Sequence, residues 1–416
     1  MYNINYRKIC ILFVFRQKGN IIRQHLSKKE ATIFIGARQV GKSTLLKQLA
    51  AELQKEGNDV VFLNLERKDI LTDLNENPEN IFRYFPQNSP KAYAFIDEVQ
   101  YLSDPTNFLK LLYDEHSDKL KIVATGSSAF YIDRNFKDSL AGRKKIFELH
   151  TLSFEEFLQF KQREDLYQEL VKARNNEGYV SIQNDLINVH FDEYLIYGGY
   201  PAVVLANGVR DKIEMLDEIK YSYIKRDISD SGVNDETKFY KLMMLLASQV
   251  GNLVNANELS KTLSMTGITV DNYLYIMQKN FHVNLAKPFH QNLRKELVKM
   301  PKVYFRDLGL RHSLLNNFNP ITDRQDKGQV IENYIFKRLI EDYPADHVKF
   351  WRTADGNEVD FVVETEFEKG LAYEVKFSER EFKESKYKKF KQAYPNYPLN
   401  CVGLIPKSKD AALWKF

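Results

Sequence analysis

The clearest indication of the fold is the sequence Gly36-Ala37-Arg38-Gln39-Val40-Gly41-Lys42-Ser43. Its spacing matches the phosphate-binding pattern G-x-x-x-x-G-K-[ST]. A β-branched apolar run precedes it at 33–35, and a run of strong helix formers follows at 44–53. Glycines let a loop wrap around phosphates with its N–H groups inward, and the following helix directs its positive end at the same anion. The sequence therefore predicts a P-loop that binds a purine nucleoside triphosphate with Mg²⁺.

Two side chains of this loop have expected roles. We expect Lys42 to reach the β- and γ-phosphates and Ser43 to ligate Mg²⁺. A glycine-bearing turn that binds nothing is the alternative. The residues expected to contact the nucleotide are Gly36, Ala37, Arg38, Gln39, Val40, Gly41, Lys42, Ser43 and Thr44.

An acidic pair, Asp97 and Glu98, follows the apolar strand predicted at 92–96. We expect this strand to neighbour the P-loop strand, so that its carboxyl end faces the phosphates. Asp97 would then hold Mg²⁺ through water, and Glu98 would orient and deprotonate the attacking water. An exposed acidic strand end is the alternative.

Two further candidates follow along the chain. Ser127 lies in Thr125-Gly126-Ser127-Ser128, which ends the next predicted strand. It is a candidate sensor of the γ-phosphate or the water, although a plain turn explains it nearly as well. Arg143 is a candidate for neutralising transition-state charge, within the subunit or from a neighbouring one. An ordinary solvated arginine is the alternative.

Short apolar runs alternate with amphipathic stretches over the first half of the chain. Helical patterns such as Leu45, Leu46, Leu49 and Leu53 separate the apolar runs. Strands separated by helices indicate βαβ units and a parallel sheet, hence an α/β fold. The predicted strands are 33–35, 60–65, 92–96, 121–125 and 145–149.

The second half of the chain has a different pattern of predicted helices and strands. Residues 154–223 have a mostly helical pattern that is broken at Gly198-Gly199-Tyr200-Pro201, and an apolar-periodic helix is expected at 239–250. A helix-turn-helix followed by strand-like residues indicates a winged helix, and a helix followed by strands indicates a small C-terminal α/β domain. The predicted ranges are 257–263, 270–280 and 289–305 for the winged helix, then 330–343, 348–352, 359–363 and 371–377.

The length of 416 residues is too great for one ordinary core. With 44% hydrophobic and 28% charged residues, the composition is that of a globular protein, and a net charge of +4 permits nucleic acid as a partner without arguing for it. The expected parts are an N-terminal extension (1–20), a P-loop core (21–152), a helical lid region (153–232), a winged-helix domain (233–315) and a C-terminal domain (316–416).

The two cysteines, Cys10 and Cys401, form no disulfide framework, and no Cys/His spacing suggests zinc. A reducing, cytoplasmic setting fits best. The apolar run at 9–15 is too short to span a bilayer, so we expect a first strand or an upstream extension there. No membrane partner is expected.

Five motifs together resemble a prokaryotic AAA-type ATPase family whose members carry a C-terminal domain related to restriction-endonuclease-like folds. The resemblance covers nearly the whole chain after about residue 20. It implies ATP as the nucleotide, an AAA core with the additional-strand order, a winged helix and the C-terminal α/β domain. The motifs are Gly36–Ser43, Asp97-Glu98-Val99-Gln100, Thr125-Gly126-Ser127, Gly142-Arg143 with Leu152-Ser153-Phe154-Glu155-Glu156-Phe157, and Gly198-Gly199-Tyr200-Pro201.

The C-terminal residues resemble the PD-(D/E)xK nuclease pattern. Glu374 and Lys376 alternate along a strand and therefore share one face. Asp360 and Glu374 are candidates to share a divalent metal, with Lys376 near the attacking water and Glu332 completing the site from a helix. Asp360 lacks a preceding proline, and a strand with one solvated polar face is the alternative.

Two features bear on nucleic acid without deciding for it. Lysines and aromatics interleave over 382–394, which fits a phosphate backbone or, more simply, a solvated helix face over an aromatic core stripe. The second helix of the predicted helix-turn-helix has few basic residues, so packing against protein, or sensing of the nucleotide state, is at least as good an interpretation as DNA binding.

These patterns lead to one main hypothesis and one alternative. The main hypothesis is a Mg²⁺-dependent ATPase of AAA type whose nucleotide state changes how a nuclease-like C-terminal domain engages nucleic acid. The alternative is a nucleotide-dependent signalling switch whose C-terminal domain binds a protein partner without catalysis. Self-association into a homo-oligomer is compatible with both.

Overall fold

The computed structural model describes residue 16 and residues 19–86, 91–126, 140–176, 178–290, 299–407 and 412–416, with the backbone alone at 222 and 223. It divides into two compact units. The first is Met1–His150 with Lys279–Phe281, and the second is Thr151–Gln278 with His282–Phe416. The apolar run at 9–15 lies outside the described residues, and the five domain boundaries given above stay predictions.

A five-stranded parallel sheet forms the centre of the first unit. Its order is β2-β3-β4-β1-β5, so the α/β fold and the additional-strand order are both confirmed. The expectation that the Asp97 strand neighbours the P-loop strand is wrong, because β4 lies between them. Every residue of β1, β3 and β4 is buried, and an equally apolar pattern in all three cannot reveal their order. The strands are β1 (Ala31–Ile35), β2 (Asp59–Asn64), β3 (Ala92–Asp97), β4 (Leu120–Gly126) and β5 (Lys144–Glu148).

Helices cover this sheet. The predicted stripe of Leu45, Leu46, Leu49 and Leu53 is the buried face of α2. The third helix was not predicted, because its sequence is rich in Asp and Asn, which favour turns. The helices are α1 (Gly19–His25), α2 (Lys42–Lys55), α3 (Lys68–Glu76) and α4 (Pro105–His116), with 3₁₀ turns at Pro78–Tyr84 and Val99–Tyr101.

The second unit begins with helices, as the pattern predicts. Ser153 and Glu156 start the first of them by a reciprocal capping box, which explains the motif at 152–157 as a helix start. The helices are α5 (Phe154–Phe160), α6 (Glu164–Asn175), α7 (Asn184–Tyr197), α8 (Pro201–Leu205), α9 (Val209–Glu218), α10 (Ile224–Asp230) and α11 (Glu236–Ser248), with a π turn at Ile219–Tyr223 between α9 and α10.

The double glycine before Pro201 lies where two backbones approach closely. A side chain on Gly199 would meet the Leu152 carbonyl oxygen at 2.4 Å, and one on Gly198 would meet the Asp307 carboxylate at 2.1 Å. Asp307 accepts the Gly199 N–H at 2.9 Å and also caps a helix through the Leu310 N–H. The double-glycine motif therefore allows close packing of backbone segments within the second unit.

A helix-turn-helix and a two-stranded antiparallel sheet follow, as expected for a winged helix. The helices are α12 (Ala256–Thr262) and α13 (Gly267–Lys279), and the strands are β6 (Val283–Ala286) and β7 (Lys302–Phe305). The first strand lies before the predicted 289–305 range, since the short run Val283–Ala286 shows no clear alternation. Residues 291–298 lie outside the described part.

The C-terminal α/β arrangement is confirmed, with one strand missed. Its sheet has the order β11-β10-β9-β8, antiparallel except for β10 and β11. Tyr387, Phe390 and Tyr394 are buried with Trp351 in its core, which favours the core-stripe interpretation of 382–394. The elements are α14 (Leu308–Leu315), α15 (Lys327–Asp342), β8 (Val348–Arg352), β9 (Glu358–Glu366), β10 (Lys369–Ser378), α16 (Lys388–Ala393) and β11 (Leu399–Ile405), with 3₁₀ turns at Ile321–Asp323, Ala345–His347, Glu379–Glu381, Glu384–Tyr387 and Leu413–Lys415.

No helix in the described part of the chain is long and apolar enough to cross a membrane.

Candidate nucleotide site and C-terminal acid cluster

The P-loop connects the carboxyl end of β1 to the first turn of α2. The Lys42 ammonium is buried in the loop and donates to the carbonyls of Gly36 at 2.9 Å and Ala37 at 2.8 Å. Gln39, at the exposed tip of the loop, has φ 62°, and Gly41 has φ 93°. Turns with left-handed residues let successive N–H groups face an anion, and the Lys42 charge lies within the same loop.

The start of α2 is chemically suited to an anion. Gly41 is the N-cap of this 14-residue helix, no side chain caps it, and the first turn holds no acidic residue. The first N–H groups of a helix carry a partial positive charge and need acceptors. Together with the Lys42 ammonium, this end of the helix fits the phosphates of a nucleotide.

Gly36 is required by the neighbouring strand. It has φ 150°, and a side chain there would meet the Leu149 carbonyl oxygen at 2.2 Å. The Leu149 N–H in turn donates to the Ile35 carbonyl at 2.8 Å. The chain after β5 therefore packs directly against the first residue of the P-loop.

Asp97 and Ser43 meet although their strands are not neighbours. The Ser43 hydroxyl donates to Oδ1 of Asp97 at 2.9 Å. The Thr125 hydroxyl, at the end of the intervening β4, donates to the same oxygen at 2.5 Å and accepts the Glu98 N–H at 2.9 Å. Asp97 is buried and accepts from both hydroxyls, so its carboxylate is held in one orientation.

Glu98 stands in a strained backbone conformation. Its φ is 62°, which is costly for a residue with a side chain and recurs where geometry serves function. The Gln100 amide donates to its carboxylate. Glu98 is partly exposed next to the buried Asp97, as a group that handles water needs to be.

Arg143 is not near the phosphate end of its own sheet. It immediately precedes β5, whose first residue, Lys144, pairs with Ala31 at the amino end of β1, whereas the P-loop follows the carboxyl end. Its guanidinium binds the Asp114 carboxylate at 2.7 and 3.2 Å. The role within the subunit is therefore contradicted, and a role toward a neighbouring subunit stays a prediction. Ser127 lies outside the described residues.

The C-terminal acids surround a lysine that sequence reasoning missed. Lys302, on β7, has 3% of its side chain exposed. Its ammonium lies 3.1 Å from Glu332, 2.5 Å from Glu358 and 3.7 Å from Asp360. The Tyr304 hydroxyl also donates to Glu332, at 2.6 Å. We call Lys302, Glu332, Glu358 and Asp360 the acid cluster.

Glu374 and Lys376 adjoin this cluster on β10. Continuing the register of Tyr373 with Phe361 by one residue brings Glu374 opposite Asp360. Oδ2 of Asp360 accepts the Val375 N–H at 2.8 Å, and the Lys376 ammonium pairs with the Glu374 carboxylate. The four predicted residues are thus brought to one region of the second unit.

Burial dominates the protonation of these acids. It raises the pKa of Glu332 to about 7, with Lys302 opposing the rise and Asp360 adding to it. It also raises the pKa of Glu374 to about 7, with Asp360 adding and Lys376 opposing. Burial alone would lower the pKa of Lys302, but Glu332, Asp360 and Glu358 together raise it.

The predicted three-carboxylate metal site is not assembled. Over the ranges that the structure describes, Glu79, Glu115 and His116 are the one trio of metal-ligating side chains whose ligand atoms lie within 4.8 Å of one another. Glu332, Asp360 and Glu374 do not converge to that distance, and the Lys302 ammonium contacts two of them. Metal sharing by Asp360 and Glu374 alone stays a prediction.

Three protein-family models match separate parts of the chain. Residues 28–158 match the family model of an AAA domain, which spans the P-loop, Asp97, Glu98 and all five strands of the parallel sheet. Residues 188–320 match a domain of unknown function, DUF8612, and residues 327–413 match another, DUF4143. The AAA-domain match and the P-loop geometry support an AAA-type ATPase domain that binds ATP.

Individual relatives are similar over most of the chain. An uncharacterized protein of Haemophilus influenzae is 28% identical over 361 residues, which are 83% of each chain. An uncharacterized protein of Methanocaldococcus jannaschii is 26% identical over 324 residues, 74% of this chain and 67% of that one. Among solved structures, AMPPCP-bound DnaA from Aquifex aeolicus aligns with a TM-score of 0.31 and 14% identity, over 64% of this chain and 89% of that one.

Proposed function

We propose that this chain is a Mg²⁺-dependent ATP hydrolase whose nucleotide state controls its C-terminal domain. The observation that carries the proposal is the hydrogen-bonded group formed by Ser43, Asp97 and Thr125, in which Ser43 directly follows the buried Lys42 in the P-loop. A hydroxyl and a carboxylate oxygen within hydrogen-bond distance are a suitable ligand pair for a hard cation.

Each side chain of the group has a distinct role in hydrolysis. Lys42 and the N–H groups at the start of α2 bind the phosphates and neutralise their charge. Ser43 would hold Mg²⁺ directly and Asp97 through water, and the ion would offset the charge that develops on the β- and γ-phosphates. Glu98 orients the attacking water and accepts its proton.

Removal of one charge inside the loop tests this proposal. Lys42→Ala is expected to lower ATP turnover by about 100-fold or more, the scale of losing one preorganised electrostatic group. Lys47→Ala is the matched control, because Lys47 is an exposed lysine on the same helix. Undiminished hydrolysis by a folded Lys42→Ala protein, judged by its thermal unfolding, would overturn the assignment.

The C-terminal domain has two candidate roles. A nuclease-like domain that engages nucleic acid is supported by the grouping of Asp360, Glu374 and Lys376. A partner-binding module without catalysis is supported by Lys302, which neutralises the acids that a metal would need. Incubation of labelled DNA and RNA with Mg²⁺ or Mn²⁺, comparing wild type with Asp360→Ala, separates them. Cleavage that depends on Asp360 supports the first, and no cleavage supports the second.

A further inference from the structure

A cavity lies beside the turn that connects β9 to β10 in the second unit. Its volume is about 420 Å³, which is within the range of pockets that bind small molecules. Aromatic rings and carboxylates line it together, and none of these residues belongs to the acid cluster. The aromatic and acidic lining residues are Phe289, Phe367, Tyr394, Tyr397, Glu364 and Glu368.

Three of the rings form a rigid aromatic wall. The ring centroid of Phe289 lies 5.0 Å from that of Tyr394 and 5.2 Å from that of Tyr397, with interplanar angles of 60° and 56°. The two tyrosine rings are nearly perpendicular, at 84°. All three rings belong to the core of the C-terminal sheet, so packing fixes their positions. Rings inclined to one another can contact a ligand from several directions, as aromatic cages do around methylated ammonium groups.

The chain already brings one cation to this wall. The Lys349 ammonium lies 5.9 Å from the centroid of the Phe289 ring and 2.8 Å from the Glu364 carboxylate. That pair neutralises Glu364, whereas the Glu368 carboxylate forms no ion pair with any residue that the structure describes. Burial raises the pKa of Tyr397, and both carboxylates add to the rise because they lie near its hydroxyl. One negative charge at the cavity is therefore left for a ligand to neutralise.

The turn that carries Phe367 and Glu368 is held against the segment that carries the two tyrosines. The Asn396 amide donates to the Glu368 carbonyl at 3.3 Å, and the Gly370 N–H donates to the Asn396 carbonyl at 3.4 Å. Glu368 has φ 56°, which is costly for a residue with a side chain and recurs at ligand sites. Phe367 is 90% exposed, so a large apolar ring stands at the cavity with little protein to cover it.

We propose that this cavity binds a methylated ammonium group, such as choline or a methylated lysine side chain carries. The aromatic wall contacts the methyl groups, the exposed Phe367 ring covers them, and Glu368 neutralises the charge. Methylation suits the site because it gives the cation an apolar surface that rings can cover, whereas a plain ammonium is strongly hydrated. The proposal goes beyond the proposed function, since neither the nucleotide nor the acid cluster takes part.

Choline binding to the nucleotide-free, full-length protein tests the cavity. Saturation-transfer NMR at low ionic strength gives the dissociation constant. The uncharged control is the carbon isostere of choline, in which a tert-butyl group replaces the trimethylammonium group. Choline is expected to bind at least about 5-fold more tightly than this isostere, the scale of a cation–π contact.

Two substitutions of exposed residues locate the binding. Phe367→Ala and Glu368→Gln are each expected to weaken choline binding by about 3-fold or more, because each removes one contact with the cation. Glu366→Gln is the matched control, since Glu366 is also exposed but pairs with Lys369 and does not line the cavity. It is expected to bind choline as the wild type does. Circular dichroism checks that each variant is folded.

A second ligand identifies the source of the group. Acetylated trimethyllysine amide carries the same group on a lysine side chain, so tighter binding of it than of choline indicates a protein partner, and the reverse indicates a free small molecule. Four outcomes contradict the proposal. They are no saturation transfer to choline from the wild type, equal affinity for the uncharged isostere, unchanged choline affinity in Phe367→Ala or Glu368→Gln, and an equal loss in Glu366→Gln.

Discussion

Ser43 and Asp97 are 54 positions apart in the chain, yet the serine hydroxyl donates to the aspartate at 2.9 Å. They belong to α2 and β3, and β3 is separated from the P-loop strand by β4. Thr125 at the end of β4 bridges the gap, since its hydroxyl binds Asp97 and accepts from the Glu98 N–H. The three elements α2, β3 and β4 thus bring the expected metal-binding and water-orienting groups together.

Loss of the Ser43 hydroxyl is expected to weaken the binding of Mg²⁺ more than the binding of ATP. In Ser43→Ala one of the two protein groups at the ion is missing, so the Mg²⁺ concentration for half-maximal turnover is expected to rise about 10-fold, equivalent to one lost hydrogen-bond-scale interaction. A Mg²⁺ titration at saturating ATP measures it. Substantial recovery of turnover at high Mg²⁺ is the internal control. An unchanged Mg²⁺ requirement would remove Ser43 from the ion.

Gly36 is expected to tolerate no side chain. In Gly36→Ala the added carbon would lie 2.2 Å from the Leu149 carbonyl, so the backbone must shift. We expect a loss of stability of about 2–3 kcal/mol from overpacking together with the left-handed φ. Circular dichroism during urea unfolding is the measurement. Tryptophan fluorescence would not report on the first unit, because both tryptophans, Trp351 and Trp414, lie in the second unit.

Gly57→Ala is the matched control for that loss. Gly57 has φ 85° with nothing within 4 Å of an added carbon, so it reports the backbone strain alone. We expect about 1 kcal/mol there. Equal losses of stability at both glycines would show that the contact with Leu149 does not add to the destabilisation.

Arg143 and Asp114 are expected to behave as one partly exposed ion pair. Ion pairs at the surface contribute little, so Arg143→Ala and Asp114→Ala should change ATP turnover equally and by less than about 3-fold. Turnover measured over a range of protein concentrations checks this. A large loss in Arg143→Ala alone, present only where the chain self-associates, would instead assign the arginine to a neighbouring subunit.

The residues that the sequence located well are those fixed by local rules. The P-loop spacing requires glycines at set positions, and the alternation of apolar runs with an amphipathic helix such as α2 requires a parallel sheet. The capping box at Ser153 and Glu156 is also local, although its function as a helix start became clear only from the contacts. These patterns depend on residues a few positions apart.

The contacts that the sequence did not locate join distant parts of the chain. Thr125 acts through a carboxylate 28 positions away, and Lys302 pairs with acids 30 and 58 positions away. The sequence around a lysine on a short strand of a winged helix contains no pattern that predicts such distant partners. The expectation that β3 lies next to β1 was wrong for a related reason, because β1, β3 and β4 are uniformly buried and look alike in sequence.

If the group around Asp97 performs ATP hydrolysis, the substitution Glu98→Gln should block the hydrolysis step itself. The variant keeps the size of the side chain and its place beside Gln100 but cannot accept a proton. ATP affinity should stay within about 3-fold of wild type, while single-turnover hydrolysis should fall by at least about 100-fold, the scale of general-base catalysis. Affinity from fluorescent-nucleotide competition and hydrolysis from the same preparation give both values. Tight ATP binding with lost hydrolysis is the predicted result, and hydrolysis at the wild-type rate would contradict it.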